Sequence, residues 1–248
     1  VEIAEAIKAY CPETLVINYT NPMSLCVKTL YTVFPEIKAF GCCHEVFGTQ
    51  KLLCAMLEDQ CGITGVTRQE IHTGFTKGMD DNWMNNSFAC SHKVKFDLFL
   101  RYGLIAAAGD RHLVEFLPPW YLKDPETVRE WGFGLTTVAW RKNDLKERLA
   151  RRARLLSGEE ELDMKGSGEE GHLLIKALLG LGEMVSNVNI PNRGQISNLP
   201  LNAVVETNAL FRRDSIAPIH AGSLPMGIDA LVTRQVLNQE ATVRAALT

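Results

Sequence analysis

The sequence has no uninterrupted apolar run of the roughly 18 or more residues that a membrane-spanning helix needs, and no stretch near its start with the order of a signal peptide. These absences set aside a membrane partner and predict a soluble, cytoplasmic protein. Nor is there a basic excess: 26 Lys and Arg stand against 29 Asp and Glu, a formal net charge of -3, so nucleic acid is not expected as a partner and small molecules are. Repeated CxxC units are missing. The seven cysteines are an odd number, and Cys26 and Cys54 fall inside apolar helical patterns, where a reduced thiol packs like a small hydrophobe. No internal repeat and no low-complexity segment is present. The phosphate-cradling G-x-G-x-x-G turn is absent too, because Gly132-Phe133-Gly134 runs on into Leu135-Thr136-Thr137. The opening, Val1-Glu2-Ile3-Ala4-Glu5-Ala6-Ile7, has neither Met nor an N-cap and enters an amphipathic pattern midway, which predicts a piece of a longer chain.

What is present suits one large domain or two moderate ones: 248 residues, 46% of them hydrophobic. Ile3, Ala6, Ile7 and Tyr10 recur at helical spacing until Cys11-Pro12, and Thr14 to Ile17 reads as a buried strand. Asn21 and Pro22 suit the N-cap and first position of a helix whose apolar face is Met23, Cys26, Val27, Leu30, Tyr31 and Phe34. Ile37 to Phe40 reads as a second strand ending at Gly41, followed by a helix with Val46, Leu53, Met56 and Leu57 inward. This alternation requires a mostly parallel sheet with crossover helices, the second half of a doubly wound domain. The expected division is 1–62 as part of a dinucleotide-binding domain and 63–248 as an α+β substrate domain.

Further along, Asn85 to Ala108 carries a helix with Phe96, Leu98, Phe99 and Leu104 buried. Asp144 caps a basic helix with Leu145, Leu149, Ala153 and Leu156 inward, and Ser167 with Glu170 forms a capping box for the next. Asn187 to Gly194 reads as an asparagine-rich turn. Ala203 to Phe211 reads as one arm of a hairpin that turns at Arg213-Asp214 and returns through Ile216 to Ile219, and a final helix starts from Pro225.

Two polar clusters fall at predicted strand ends, where ligands of open α/β sheets collect: Asn18-Tyr19-Thr20-Asn21-Pro22 and Gly41-Cys42-Cys43-His44-Glu45. Cys43 and His44 are adjacent, so on a continuing strand they point to opposite faces and do not share one metal. The bland reading is a buried thiol and a hydrogen-bonded end-of-strand imidazole; the chemical one makes Cys43 a metal ligand with a second donor from elsewhere. Asp110, Arg111 and His112 form a third cluster. It is either a solvated loop with an internal ion pair or a base, an anion clamp and an imidazole.

Taken together, these clusters, with Val46-Phe47-Gly48-Thr49, Gly109, Asn189-Ile190-Pro191-Asn192-Arg193-Gly194, Asn198-Leu199-Pro200 and Val204-Val205-Glu206, resemble glycoside hydrolase family 4, its alpha-galacturonidase-like members above all. The resemblance covers nearly the whole chain in order. It implies a lactate/malate dehydrogenase-like fold, NAD and Mn2+ as cofactors, a homodimer or homotetramer, and cleavage of an alpha-linked uronide. The implied route is oxidation at C3, loss of the C2 proton made acidic by the ketone, elimination from C1, addition of water and return of the hydride. By the same resemblance Cys43 is the metal ligand and His44 assists the leaving group. Thr20 and Asn21 meet the cofactor, Asn21, Arg111 and His112 meet the sugar, and Asp110 is the base at C2, where other members use a tyrosine. The family's Gly-x-Asn-His segment, which supplies a second metal ligand, belongs near Thr73 to Gly78 and is not found there; His72 is the histidine nearby. The rival expectations are a 2-hydroxy-acid dehydrogenase on the same fold and an inactive sugar- or nucleotide-binding relative.

Overall fold

In a computed structural model the chain is described over residues 1–67, 92–133, 136–162 and 169–248. In chain order the elements are α1 (Glu2–Tyr10), β1 (Leu15–Asn18), α2 (Met23–Val33), β2 (Lys38–Gly41), α3 (Glu45–Cys61), α4 (Lys93–Tyr102) and α5 (Asp110–Phe116). There follow α6 (Pro125–Trp131), α7 (Val138–Ser157), α8 (Gly171–Leu178), β3 (Met184–Pro191), β4 (Val204–Arg212), β5 (Ser215–Pro218) and α9 (Ile228–Leu247). The fold is mixed α/β around a five-stranded sheet of order β1-β2-β3-β4-β5. The expected parallel pairing is present in β1 and β2, with Val16 beside Ala39 and Ile17 beside Phe40. From β2 onward the sheet turns antiparallel, through Gly41 against Asn189 and then the long β3–β4 ladder. The expected hairpin is β4–β5, with Arg212 opposite Ser215.

The structure forms two compact units. The first comprises Val1–Thr76, Leu98–Ala108 and Glu170–Thr248; the second comprises Lys77–Asp97 and Gly109–Glu169. In the first, one sheet face carries Phe40, Val188, Ile190, Ala209 and Phe211 under Leu174 and Ala177 of α8, with Phe40 and Phe211 edge to face at 5.2 Å. Alternation along β3 and β4 dictates this: even-numbered residues of β3 and odd-numbered ones of β4 share the apolar face. Around α2, Met23 and Val27 pack on Val204. The expected boundary at residue 62 falls on the αL cap of α3, Gly62 at φ 65, and β3 to β5, later in the chain, extend the sheet that β1 and β2 begin.

In the second unit, Tyr121 is buried and donates its hydroxyl to Asp97 at 2.5 Å. Its ring meets Trp131 edge to face at 4.7 Å.

Several local expectations change. Pro22 is the N-cap of α2 at φ -68, ψ 117, outside the helical region, so Asn21 is not the cap and Met23 starts the helix. The basic helix begins at Val138, because Thr137 Oγ1 accepts the Trp140 amide at 3.1 Å. Asp144 then lies within α7 and pairs with Arg148 at 3.0 Å, and Leu145, Leu149 and Leu156 are exposed. Of the expected helix near 85–108 the described part is α4; Phe96 and Leu98 are buried, but Leu104 lies beyond its end and is exposed. Glu170 is the N-cap of α8, and Ser167 lies outside the described residues. The final helix starts at Ile228, not Pro225. The largest change is at Asn187 to Pro191, strand rather than turn, because pairing with β4 satisfies the backbone that a turn would leave to its asparagines.

Candidate functional site at the strand ends

β1 ends at Asn18, whose side chain folds the loop after it. Its Nδ2 donates to the Thr20 carbonyl at 2.9 Å and to Met23 Sδ at 3.1 Å, and its Oδ1 accepts the Thr20 amide at 3.4 Å. This is the local bonding that lets asparagine stand in for a backbone turn. β2 ends at Gly41, so Cys43 and His44 are not on a continuing strand and their expected opposite facing does not apply. The Cys42 amide donates to the Asn18 carbonyl at 3.0 Å and ties the two loops together. Gly41 makes the approach possible: a Cβ there would stand 2.5 Å from Met23 Sδ and 3.1 Å from Asn189 Cβ.

Cys43 is half-buried against Met23, Val27 and Val204, and His44, the N-cap of α3, is exposed with Nε2 4.0 Å from Glu45 Oε1. Thr20 and Asn21 are exposed on the neighbouring loop. The structure thus brings Thr20, Asn21, Cys43 and His44 to one end of the parallel pair. Among the described residues no group of three or more His, Cys, Asp and Glu is placed to hold a metal. Two adjacent donors, Cys43 and His44, fall short of the set a divalent ion takes. The segment expected to add one, with His72 and Thr73 to Gly78, lies outside the described residues.

Beside these loops lies a polar strip that sequence reasoning did not assign. Asn189 stands directly opposite Glu206, and Asn187 lies two residues away on the same face. Asn187 Nδ2 donates to Glu206 Oε1 at 2.5 Å, and Ser24 Oγ at the start of α2 donates to Asn189 Oδ1 at 3.0 Å. Burial pushes the Glu206 carboxyl up to about 7, against the downward pull of the Asn189 and Asn187 amides, and the neighbouring charge of Glu45 adds to the rise. The signal for this strip was the alternation Asn187, Asn189 facing Glu206, visible only once Asn187 to Pro191 is read as a strand.

Asp110, Arg111 and His112 belong to the second unit. Asp110 opens α5 and is 1% exposed. Its Oδ2 accepts the Val94 amide at 2.9 Å and its Oδ1 the Lys95 amide at 3.0 Å, so it caps the first turn of α4 from another helix. Burial raises its pKa, opposed by these amides, by the Lys95 charge and by the Lys93 amide. To act as a base, Asp110 would have to turn an oxygen away from these amides toward the substrate. Arg111 and His112 are exposed, and Arg111 Nη1 donates to Thr136 Oγ1 at 2.7 Å.

Polar loops at the carboxyl ends of a parallel strand pair define a ligand-binding α/β protein. The chain belongs to glycosyl hydrolase family 4: residues 1–59 match the family 4 glycosyl hydrolase model and residues 50–248 that of the family 4 C-terminal domain. It is 56% identical over 283 residues to the alpha-galacturonidase of Thermoanaerobacterium saccharolyticum, covering all of this chain and 61% of that protein. The crystal structure of lplD from Bacillus subtilis matches at 46% identity with a TM-score of 0.86, covering 99% of this chain and 64% of the other. A 6-phospho-beta glucosidase from Thermotoga maritima, solved with manganese, NAD+ and glucose-6-phosphate, shares the fold at 15% identity and a TM-score of 0.67, over 99% of this chain and 60% of that one. The chain thus spans about 61% of the length of the curated alpha-galacturonidase it matches. The 283 aligned residues against the chain's 248 leave 35 positions of that relative without a counterpart here. Among the described residues no helix is long and apolar enough to cross a membrane.

Proposed function

We propose that the chain is part of a glycosidase that cleaves an alpha-linked galacturonide with NAD and a divalent metal, Mn2+ being the metal implied. The observation that carries this is the tie between the two strand-end loops: the Cys42 amide on the Asn18 carbonyl sets Thr20 and Asn21 beside Cys43 and His44. In this reading residues 1–62 belong to the dinucleotide-binding domain and 63–248 to the substrate domain. When bound, the cofactor supplies oxidation at C3 and the metal polarises the sugar oxygens. The described donors do not complete a metal site and the chain has no glycine fingerprint, so no step is derived through either group.

The chain's own residues bind and orient. Asn18 shapes the loop that presents Thr20 and Asn21 to cofactor and sugar, and Cys43 would contribute a thiolate to a bound metal. His44, exposed at the N-terminus of α3, assists the leaving group, and Arg111 and His112 meet the uronate carboxylate and the sugar. The acidic sugar suits the planar fork of Arg111. Asp110 enters as the holder of α4; as a base it would have to release the Val94 and Lys95 amides. A soluble cytoplasmic homodimer or homotetramer completes the proposal.

The test supplies NAD+, Mn2+ and an aryl alpha-galacturonide. Phenol release without net NADH is expected. Steady NADH formation from a 2-hydroxy acid would instead make the protein a dehydrogenase, and binding without turnover would make it an inactive sugar- or nucleotide-binding relative; either result overturns the reading. Cys43→Ser is expected to lower metal-dependent release about 100-fold or more with the circular dichroism spectrum unchanged.

A further inference from the structure

Two observations on the polar strip reach beyond the loops. Asn189 is 1% exposed, and its Nδ2 has no hydrogen-bond partner among the described residues. A donor so placed is costly unless it serves something, and it lies across the strand pair from the Glu206 carboxyl. The other end of the same amide accepts from Ser24 Oγ, in the first turn of α2. Met23, beside Ser24, takes the Asn18 side chain, and Asn18 takes the Cys42 amide. Through the side chains of Asn189 and Ser24, the α2 backbone, and then Met23 and Asn18, the strip runs from β4 through β3 to the start of α2 and on to both loops. Asn187 Nδ2 anchors its far end by holding the Glu206 carboxyl in place.

We propose that Glu206 is a positioning residue of this site. Acting through Asn189 and Ser24, it fixes the first turn of α2, and with it the Asn18–Pro22 loop, against the Gly41–Glu45 turn. Its Oε1 accepts the Asn187 amide, and its carboxyl faces the partnerless Asn189 amide from directly across the strand pair, a task that a shorter or apolar side chain at this place does not perform. Gly41 adds the tight fit that makes the arrangement sensitive, since Met23 and Asn189 both close on the space where its Cβ would be. The effect on turnover rests on the reading of the loops as sugar- and cofactor-binding; the effect on loop order does not.

Hydrogen exchange and steady-state kinetics on the whole protein test this. In Glu206→Ala the Cys42 and Thr20 amides are expected to exchange about tenfold faster or more, while amides of the hairpin end, Arg212 and Ser215, keep their protection. KM for an aryl alpha-galacturonide is expected to rise about tenfold with kcat within about twofold. Glu206→Gln keeps the acceptor for Asn187 but turns an NH2 toward the Asn189 amide, and is expected to restore KM and loop exchange only in part. Ser24→Ala removes one hydroxyl from the middle of the chain of contacts and is expected to reproduce the faster loop exchange; it decides the question if Glu206→Ala does not fold. Unchanged loop exchange in both Glu206→Ala and Ser24→Ala overturns the proposal, as does equal acceleration of loop and hairpin amides, which marks general loosening. If the unaltered protein releases no phenol, the proposed function fails, while the exchange data still decide what Glu206 positions.

Discussion

Glu206 and Asp110 are both carboxyls whose pKa is raised first by burial, yet the molecule uses them differently. Asp110 meets backbone amides, two of them, at the start of a helix. Glu206 meets the side-chain amide of Asn187 and faces that of Asn189, in a strip that leads to the polar loops. Backbone donors move only if a helix moves, so a carboxyl that serves them is committed to the fold. Side-chain donors rotate, so a carboxyl that serves them transmits position. The comparison shows why burial and a raised pKa alone do not mark a catalytic group; the identity of the partners separates the two.

The largest effect is expected from Asp110→Ala. It orphans the first amides of α4 in a buried place and is expected to cost about 2–4 kcal/mol, measured by urea denaturation. Asp110→Asn keeps an acceptor for one amide and is expected to retain solvent deuterium exchange at C2 of the sugar product. Loss of that exchange with stability intact would return the role of base to Asp110.

For Glu206 the expected effect is on the pH dependence of stability. Its folded pKa is raised from 4.5 to about 7, so the folded state holds the proton more tightly than the unfolded one. The resulting stabilisation is full below about 4.5 and is lost as pH rises through about 7, at no more than about 1.4 kcal/mol per pH unit in that window. Glu206→Gln, which has no proton to lose, is expected to flatten the fall in urea midpoint between pH 5 and 8. An unchanged slope would assign that dependence elsewhere. Asp110 shifts in the same direction, so pH alone does not distinguish the carboxyls and the two variants must be compared.

The smallest expected effect belongs to an ordinary cap used as a reference. Thr137→Ala removes the hydroxyl that accepts the Trp140 amide at the exposed start of α7 and is expected to cost about 1 kcal/mol. A loss as large as that of Asp110→Ala would mean that burial adds nothing to the value of a cap here.

Much of the first 61 residues was legible because each element carries its own signal. Apolar spacing marks α1, α2 and α3, Cys11-Pro12 and Pro35 stop helices, and short β-branched or aromatic runs make β1 and β2. The β4–β5 hairpin was legible for the same reason, with Asp214 at φ 52 in its turn. The reading failed where a local signal competed with a distant partner. Asn187 to Pro191 has the composition of a turn, and only the ladder with β4 makes it a strand. Leu145, Leu149 and Leu156 have the spacing of a buried stripe, and nothing within a window of sequence reveals that they stay exposed. The two amides that Asp110 accepts lie 15 and 16 residues away, so no window of sequence shows them.

Read alone, the sequence held the succession of helices and strands over its first 61 residues, which loops fall at the ends of β1 and β2, and the family to which the chain belongs. These follow from local backbone preference, apolar periodicity and motifs read in order. The tertiary structure decided what each polar side chain faces. It set Asn189 against Glu206 and Ser24, closed α2 over Gly41, and gave Asp110 to α4. Those choices rest on contacts between residues far apart in the chain, and their energies come from burial and hydrogen-bond partners that exist only after the sheet has formed.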